Sequence, residues 1–282
     1  MKKLSAPFLS LLLLTLFCFS CSDDDSESQV IIQQTQEAQF LDVPYGNNNQ
    51  QVYDIYLPAH RDLDTKVLIL VHGGGWTAGD KVDMNPYRDI AKAELSEYAI
   101  VNINYRLASQ GVSPFPMQLD DITAVINQLK AKRNEYVISE DYAFIGVSAG
   151  AHLSLLWTYD YDTQQDVAMV ASLVGPTNFT DPAYSDFVNP SFLYFGVTPT
   201  TSALEQYSPY HQVQASSAPT ILFYGGMDPL IPTSQGVDME AKLTALGVEN
   251  EFTLYPNEGH GWTGANALDT WTKLKSFILT HH

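Results

Sequence analysis

Tyr142-Ala143-Phe144-Ile145-Gly146-Val147-Ser148-Ala149-Gly150 is the stretch that decides the fold. Its first six residues carry no charge and read as a strand buried on both faces. From Ala149 to Thr158 the pattern is that of a helix. Gly146 and Gly150 bracket Ser148 in a G-x-S-x-G turn, so tight that larger side chains at the bracketing positions would meet neighbouring backbone. A turn of this kind lifts a hydroxyl to the carboxyl edge of a parallel sheet, where α/β sites form. The helix start behind it offers free N–H groups to a developing negative charge.

On either side of this unit, strand and helix patterns alternate. Gln39 to Tyr45 and Gln51 to Leu57 read as a hairpin around Gly46-Asn47-Asn48-Asn49. Further strands are predicted over Lys66 to Val71, Ala99 to Asn104, Ala168 to Val174, Thr220 to Tyr224 and Glu251 to Tyr255. Helices are predicted over Pro86 to Tyr98, Met117 to Arg133, Ser234 to Leu246 and Ala267 to Leu279. A hairpin followed by βα alternation predicts one α/β domain over residues 38–282: a mostly parallel eight-stranded sheet with an antiparallel N-terminal hairpin and helices on both faces. Residues 175–219 interrupt the alternation. They are proline-punctuated and rich in Phe and Tyr. They read either as a small cap over a substrate pocket or as an excursion packed on the surface.

His72-Gly73-Gly74-Gly75-Trp76 follows the strand Lys66 to Val71 directly. Glycines there let the backbone approach a ligand and turn its N–H groups inward. The N–H groups of Gly74, Gly75 and Ala149 are the expected oxyanion donors. A serine hydroxyl needs a base to take its proton. Of the seven histidines, His281 and His282 are expected to be exposed, His60 sits in an early loop, and His211 falls in the insertion. His72 suits a loop-shaping role, and His152 would point away from the Ser148 hydroxyl. His260, in the glycine-bracketed loop Glu258-Gly259-His260-Gly261 after the last strand, can swing over the carboxyl edge. The orienting acid is expected between Ser148 and His260 in chain order. Asp228, in Gly225-Gly226-Met227-Asp228-Pro229, follows a strand and fits. Asp238 falls on a helix, and Glu258 is too near His260.

Together with Asn104-Tyr105-Arg106-Leu107, Phe115-Pro116 and Asp120-Asp121, these motifs give the chain a clear likeness. From about Phe40 onward it resembles serine esterases of the α/β-hydrolase superfamily, the hormone-sensitive-lipase-like group with its feruloyl and acetyl esterase relatives. The resemblance implies hydrolysis of small-molecule or oligosaccharide esters through an acyl-enzyme, with Ser148 as nucleophile, His260 as base, Asp228 as acid, and no cofactor or metal. The same motifs are shared by amidases and peptidases, so an exopeptidase and an arylformamidase stay open. So does a binding protein that merely reuses the fold.

The N-terminus points to export. Lys2 and Lys3 precede an apolar run from Leu9 to Phe19, too short for a membrane-spanning helix of about 20 residues and suited to a signal peptide over residues 1–20. Ser20-Cys21 resembles the cleavage site of bacterial lipoproteins, with Cys21 as the lipid attachment point. Residues 21–37 then form an acidic tether, whose start resembles the export signal of surface lipoproteins of Bacteroidetes-type bacteria. The expected location is the cell envelope, on the outer membrane, with the lipid as the only membrane contact. Both cysteines lie in this segment, so the domain is expected to hold together without disulfides. With 32 acidic residues against 14 Lys and Arg and no basic cluster, the chain lacks the footprint that nucleic-acid binding needs.

Overall fold

The computed structural model describes residues 35–282. The expected signal peptide over residues 1–20, Cys21 and most of the expected tether over residues 21–37 lie outside the described residues.

The chain begins with β1 (Ala38–Pro44), β2 (Val52–Leu57), β3 (Val67–Val71), α1 (Asn85–Glu94) and β4 (Ala99–Ile103). It continues with α2 (Met117–Ala131), α3 (Arg133–Tyr136), β5 (Tyr142–Val147), α4 (Ala149–Leu156) and β6 (Val167–Leu173). An insertion carries α5 (Ser185–Tyr194), α6 (Thr201–Gln206) and α7 (Pro209–Gln212). The last elements are β7 (Thr220–Gly225), α8 (Ser234–Leu246), β8 (Asn250–Tyr255) and α9 (Gly264–His281). The strands form one eight-stranded sheet in the order β1-β2-β4-β3-β5-β6-β7-β8. β1 and β2 pair antiparallel, as do β2 and β4, and the pairs from β4 to β8 are parallel. This is the α/β-hydrolase fold, as the sequence predicts.

The sheet sits centrally because its middle strands have no polar face. Every residue of β3, Val67-Leu68-Ile69-Leu70-Val71, is buried. Alternation along it divides the core in two. Val67, Ile69 and Val71 face the side covered by α2, α4 and α8, whose Leu119, Ile122, Val125, Leu153, Met239 and Leu243 share that cluster. Leu68 and Leu70 face α1 and α9, packing with Ala91, Trp271, Leu274 and Phe277.

The parallel half leaves the carboxyl ends of β3, β5, β7 and β8 along one edge, and the predicted site residues follow those ends. Near that edge Asp121, on α2, has a fully buried side chain. Its Oδ1 and Oδ2 accept from Arg106 Nε at 2.9 and 3.1 Å, and Oδ1 from Arg106 Nη2 at 2.6 Å. Oδ2 also accepts from the Arg106 N–H at 2.8 Å, and Oδ1 from Gln51 Nε2 at 2.8 Å. This fork joins the loop after β4 to α2 and accounts for Arg106 and Asp121 within the Asn104-Tyr105-Arg106 and Asp120-Asp121 motifs. Asp121→Ala is expected to cost about 1–3 kcal/mol of stability, because it removes the buried acceptor of the Arg106 N–H and of Gln51 Nε2, while the Arg106 guanidinium, 32% exposed, can still turn to water. Urea unfolding of the variant measures this, and a loss within the error of wild type contradicts it.

Several boundaries differ from the sequence reading. The helix predicted to Tyr98 ends at Glu94, where Leu95 leaves helical geometry at φ −130°, ψ 55° so that Leu95 and Tyr98 can turn into the core. The helix predicted to Thr158 ends as α4 at Leu156 and continues as a π-helical turn over Trp157–Tyr161. The helix predicted to Arg133 stops at Ala131 and resumes as α3, which is closed by Val137 at φ 56°. The insertion is helical, and it buries Phe179, Tyr184, Val188, Phe192 and Phe195 in the same cluster as α2 and α4.

One expectation is overturned. His282 is 6% exposed rather than solvated. α9 continues to His281 and lays the next residue across the amino ends of β3 and β5. There the His282 ring packs edge-on against Tyr98 at 5.4 Å, Nε2 meets the Asp141 carbonyl at 3.2 Å, and Lys66 Nζ reaches the His282 carbonyl oxygen. Burial pushes this imidazole down to about 4.

Candidate active site

Ser148 sits in the turn between β5 and α4 at φ 54° and ψ −120°. Such a conformation costs about 1–3 kcal/mol for a residue with a side chain, so its surroundings must hold it. The Ser148 N–H donates to the Leu173 carbonyl at 2.8 Å, and its own carbonyl accepts from the His152 N–H at 3.1 Å. The bracketing glycines have steric reasons. A Cβ on Gly146 would lie 2.5 Å from the Ala151 Cα, and one on Gly150 would collide with the carbonyl oxygens of Val71 and His72. Gly150 thus lets α4 press against the end of β3 and draws the following glycine loop to the serine. Gly73, which the sequence reading did not single out, is the glycine that packs there: a Cβ on it would lie 3.2 Å from that of Ser148.

The glycine loop is held from behind. His72 is fully buried and stacks on Tyr105 with ring centres 4.2 Å apart. Its Nδ1 meets the Gly73 carbonyl at 2.7 Å, and the Tyr105 hydroxyl donates to the His72 carbonyl at 2.8 Å. Burial holds the His72 imidazole below its ordinary range. It is the neutral loop-shaping group that the sequence suggests. Gly74, Gly75 and Trp76 follow with φ of 114°, 57° and 63°. The N–H groups of Gly74, Gly75 and Ala149 take part in no backbone hydrogen bond of the loops, turns and caps. They remain free to face an incoming oxygen.

On the far side of the serine, two loops interlock. A Cβ on Gly225 would collide with the Gly259 carbonyl, and one on Gly226 would lie 2.5 Å from that of Pro256. The Gly226 N–H donates to Tyr255 and the Met227 N–H to Glu258, both at 2.8 Å. These bonds fasten the loop after β7 to the loop after β8 and set Asp228 against His260. Asp228 Oδ2 lies 2.7 Å from His260 Nδ1, and His260 Nε2 lies 2.9 Å from Ser148 Oγ. The Asp228 side chain is completely buried, whereas that of His260 keeps 22% exposure. Burial pushes the Asp228 carboxyl up. The hydrogen bonds from His260 and from the N–H groups of Leu230 and Ile231 outweigh it and leave the group below the usual carboxylate range. A carboxylate, an imidazole and a hydroxyl in line can move a proton from Oγ to Nε2 while Nδ1–H stays bound to the charge.

The other candidates fall away from this line. Glu258 accepts from Asn266 Nδ2 at 2.6 Å, and Asp238 is exposed on α8. His60 is exposed at φ 59°, and His211, also exposed, pairs with Thr180 Oγ1 at 3.0 Å. His152 turns its ring away from Ser148 into an aromatic cluster with Trp76, Phe115 and Phe179. A cavity of about 490 Å³ lined by Thr158, Asp160, Gln165, Gln214 and Pro219 lies beside the amino ends of β6 and β7, on the opposite edge of the sheet from Ser148.

Known proteins with similar sequences and structures agree with this architecture. A bacterial heroin esterase superposes with a TM-score of 0.71 over 88% of this chain and 84% of its own, at 20% identity. A truncated carbohydrate esterase from gut microbiota superposes with a TM-score of 0.66 over 86% of this chain and 97% of its own, also at 20% identity. Kynurenine formamidase of Danio rerio is 28% identical over 158 residues, which is 53% of this chain and 50% of that protein. The chain spans about half the length of such curated relatives. The BD-FAE family model matches residues 53–243, a stretch that holds the glycine loop, the Ser148 turn and Asp228 and stops short of the His260 loop. With two thirds of its length and three of its four site segments inside that match, the chain belongs to the BD-FAE family.

Proposed function

We propose that this protein is a carboxylic ester hydrolase in which Ser148, His260 and Asp228 act as nucleophile, base and orienting acid. Ser148 Oγ attacks the ester carbonyl as His260 Nε2 takes its proton. The N–H groups of Gly74, Gly75 and Ala149 receive the oxyanion, and the imidazolium returns the proton to the leaving alkoxide. Water then repeats the sequence on the acyl-enzyme. The observation that carries this reading is the unbroken line from Asp228 Oδ2 through His260 to Ser148 Oγ at 2.7 and 2.9 Å. The substrate class proposed is small acyl esters, including those carried by carbohydrates. It takes support from the likeness to a carbohydrate esterase and to a heroin esterase. Export and lipid attachment at Cys21 belong to the same reading and suit a scavenging role.

An amide-cleaving reading is kept because of the kynurenine formamidase likeness. A panel of p-nitrophenyl acetate, acetylated xylo-oligosaccharide, N-formylkynurenine and a dipeptidyl p-nitroanilide separates the two. Turnover of the esters with little of the amides is expected. Preference for the formamide or the anilide replaces the ester assignment. Absence of all turnover, with no fluorophosphonate labelling of Ser148, removes the hydrolase reading altogether.

A further inference from the structure

His152 takes no part in the line from Asp228 to Ser148, yet it is wholly buried beside the site. Its Nδ1 lies 3.3 Å from Trp76 Nε1, and its Nε2 lies 2.8 Å from the Tyr207 carbonyl oxygen. An indole N–H can only donate and a carbonyl can only accept. The two contacts therefore fix one tautomer, with the lone pair on Nδ1 and the proton on Nε2. A second proton on Nδ1 would oppose the indole N–H. The ring is packed by Phe179 at 4.8 Å, Phe115 at 5.3 Å and Trp76 at 5.4 Å. Burial in this setting drives its pKa down to about 4 and keeps the bridge neutral.

What the bridge joins gives it meaning. Trp76 follows Gly75 at φ 63°, and its carbonyl is pinned by the Ala108 N–H at 2.9 Å and by Gln118 Nε2 at 2.7 Å. The indole is the remaining free end of this residue, and His152 holds it. Tyr207 closes α6 in the insertion, and its ring stacks on Phe115 at 4.7 Å. The insertion is tied at its base to the neighbourhood of the Asp228 loop as well: Gln235 Oε1 accepts from the Thr177 and Asn178 N–H groups at 2.8 Å each, and Ser234 Oγ donates to Asp181 Oδ2 at 2.5 Å. The insertion thus borders both loops of the site, and His152 is its hydrogen-bonded link to the glycine loop, beside the edge contact of Phe179 on Trp76 at 5.9 Å.

We propose that His152 is a positioning residue whose two ring nitrogens serve two separate properties: Nδ1 aligns the Gly74–Gly75 donors through Trp76, and Nε2 fixes the insertion that borders the substrate. The first half rests on the oxyanion role given above to Gly74 and Gly75.

Two substitutions divide the bridge. In His152→Asn the amide oxygen can stand near the Nδ1 position and keep the indole bond, while nothing reaches Tyr207. In His152→Gln the amide nitrogen can stand near Nε2 and keep the bond to Tyr207, while the indole loses its acceptor. With p-nitrophenyl acetate, His152→Gln is expected to lower kcat roughly tenfold with little change in KM. That is less than the roughly 10²–10³ of an oxyanion donor removed outright. His152→Asn is expected to raise KM several-fold with a smaller loss in kcat, and to speed proteolytic cleavage within residues 175–219. Equal changes in kcat and KM in both variants, or none in either, overturn the proposal. Trp76→Phe leaves His152 in place, removes the indole donor and trims the ring that packs on Phe115 and Phe179. It should reproduce the kcat loss of His152→Gln, and it decides the matter if neither histidine variant folds. The Trp76 indole N–H resonance gives a readout independent of turnover. It should stay at its wild-type position in His152→Asn and move in His152→Gln. If the wild type itself neither turns over esters nor labels with fluorophosphonate, the hydrolase reading fails, and the indole resonance and the proteolysis pattern still judge the bridge.

Discussion

Alanine at position 148 is expected to lower ester turnover about 10⁶-fold, with binding of substrate little changed, because in the proposed mechanism the nucleophile and its base act as one unit. In the folded protein Ser148 Oγ has His260 Nε2 at 2.9 Å to receive its proton. Alanine leaves the imidazole with nothing to deprotonate except water, which is neither bonded to the enzyme nor aligned for attack. The free N–H groups of the glycine loop and α4 should still favour an oxyanion, so a residual rate of roughly 10³–10⁴ over the uncatalysed reaction is expected. The double variant Ser148→Ala, His260→Ala should be no slower than Ser148→Ala alone, since the second change removes a partner already idle. Pre-steady-state release of p-nitrophenol provides the measurement: the wild type shows a burst and the alanine variant none. A loss under a hundredfold, or a burst that persists, shows that Ser148 is not the acylated group.

Asparagine at position 228 carries the next largest effect, about 10⁴-fold in kcat. Both carboxylate oxygens are committed as acceptors: Oδ1 to the N–H groups of Leu230 and Ile231 at 2.8 and 3.0 Å, and Oδ2 to His260 Nδ1 at 2.7 Å. An amide has one acceptor end and one donor end. Its oxygen must meet the two backbone N–H groups, so its NH₂ turns toward Nδ1. The imidazole then presents its lone pair there and carries its proton on Nε2, facing the Ser148 hydroxyl, where it cannot act as a base. No water corrects this, because the side chain at this position is sealed from solvent. Stability should change little, as the two backbone bonds survive. A kcat within tenfold of wild type contradicts the assignment and turns attention to another acid.

Much of this site was legible in the amino-acid string because its parts obey local rules. Gly146 and Gly150 must be glycine for a helix to start against a neighbouring strand, and that steric demand is visible as a spacing. The run of glycines after Val71, and those beside Asp228 and His260, mark loops where backbone meets backbone. The less legible features depend on what lies across the molecule. The pattern of His152 on its helix cannot reveal that an indole from the Trp76 loop and a carbonyl from Tyr207 meet its two nitrogens. Nor does the sequence of α9 show that it runs far enough to seat His282 under Tyr98. The insertion carries aromatic residues without a clear period, so neither its helices nor its burial beside α2 and α4 could be read from spacing.

By itself the sequence determined the class of fold, the strand–turn–helix around Ser148 and the chemical type of each group at the site, since these depend on residues adjacent in the chain. Tertiary structure alone decided that Ser148 and His260, 112 positions apart, come within hydrogen-bonding distance. It also decided that Gly225 and Gly226 lock against the loop before His260 and place Asp228 behind it. The reason is that a hydrogen bond requires placement to a few tenths of an ångström. Only the parallel packing of β3, β5, β7 and β8, with their carboxyl ends on one edge, brings such distant loops to one point.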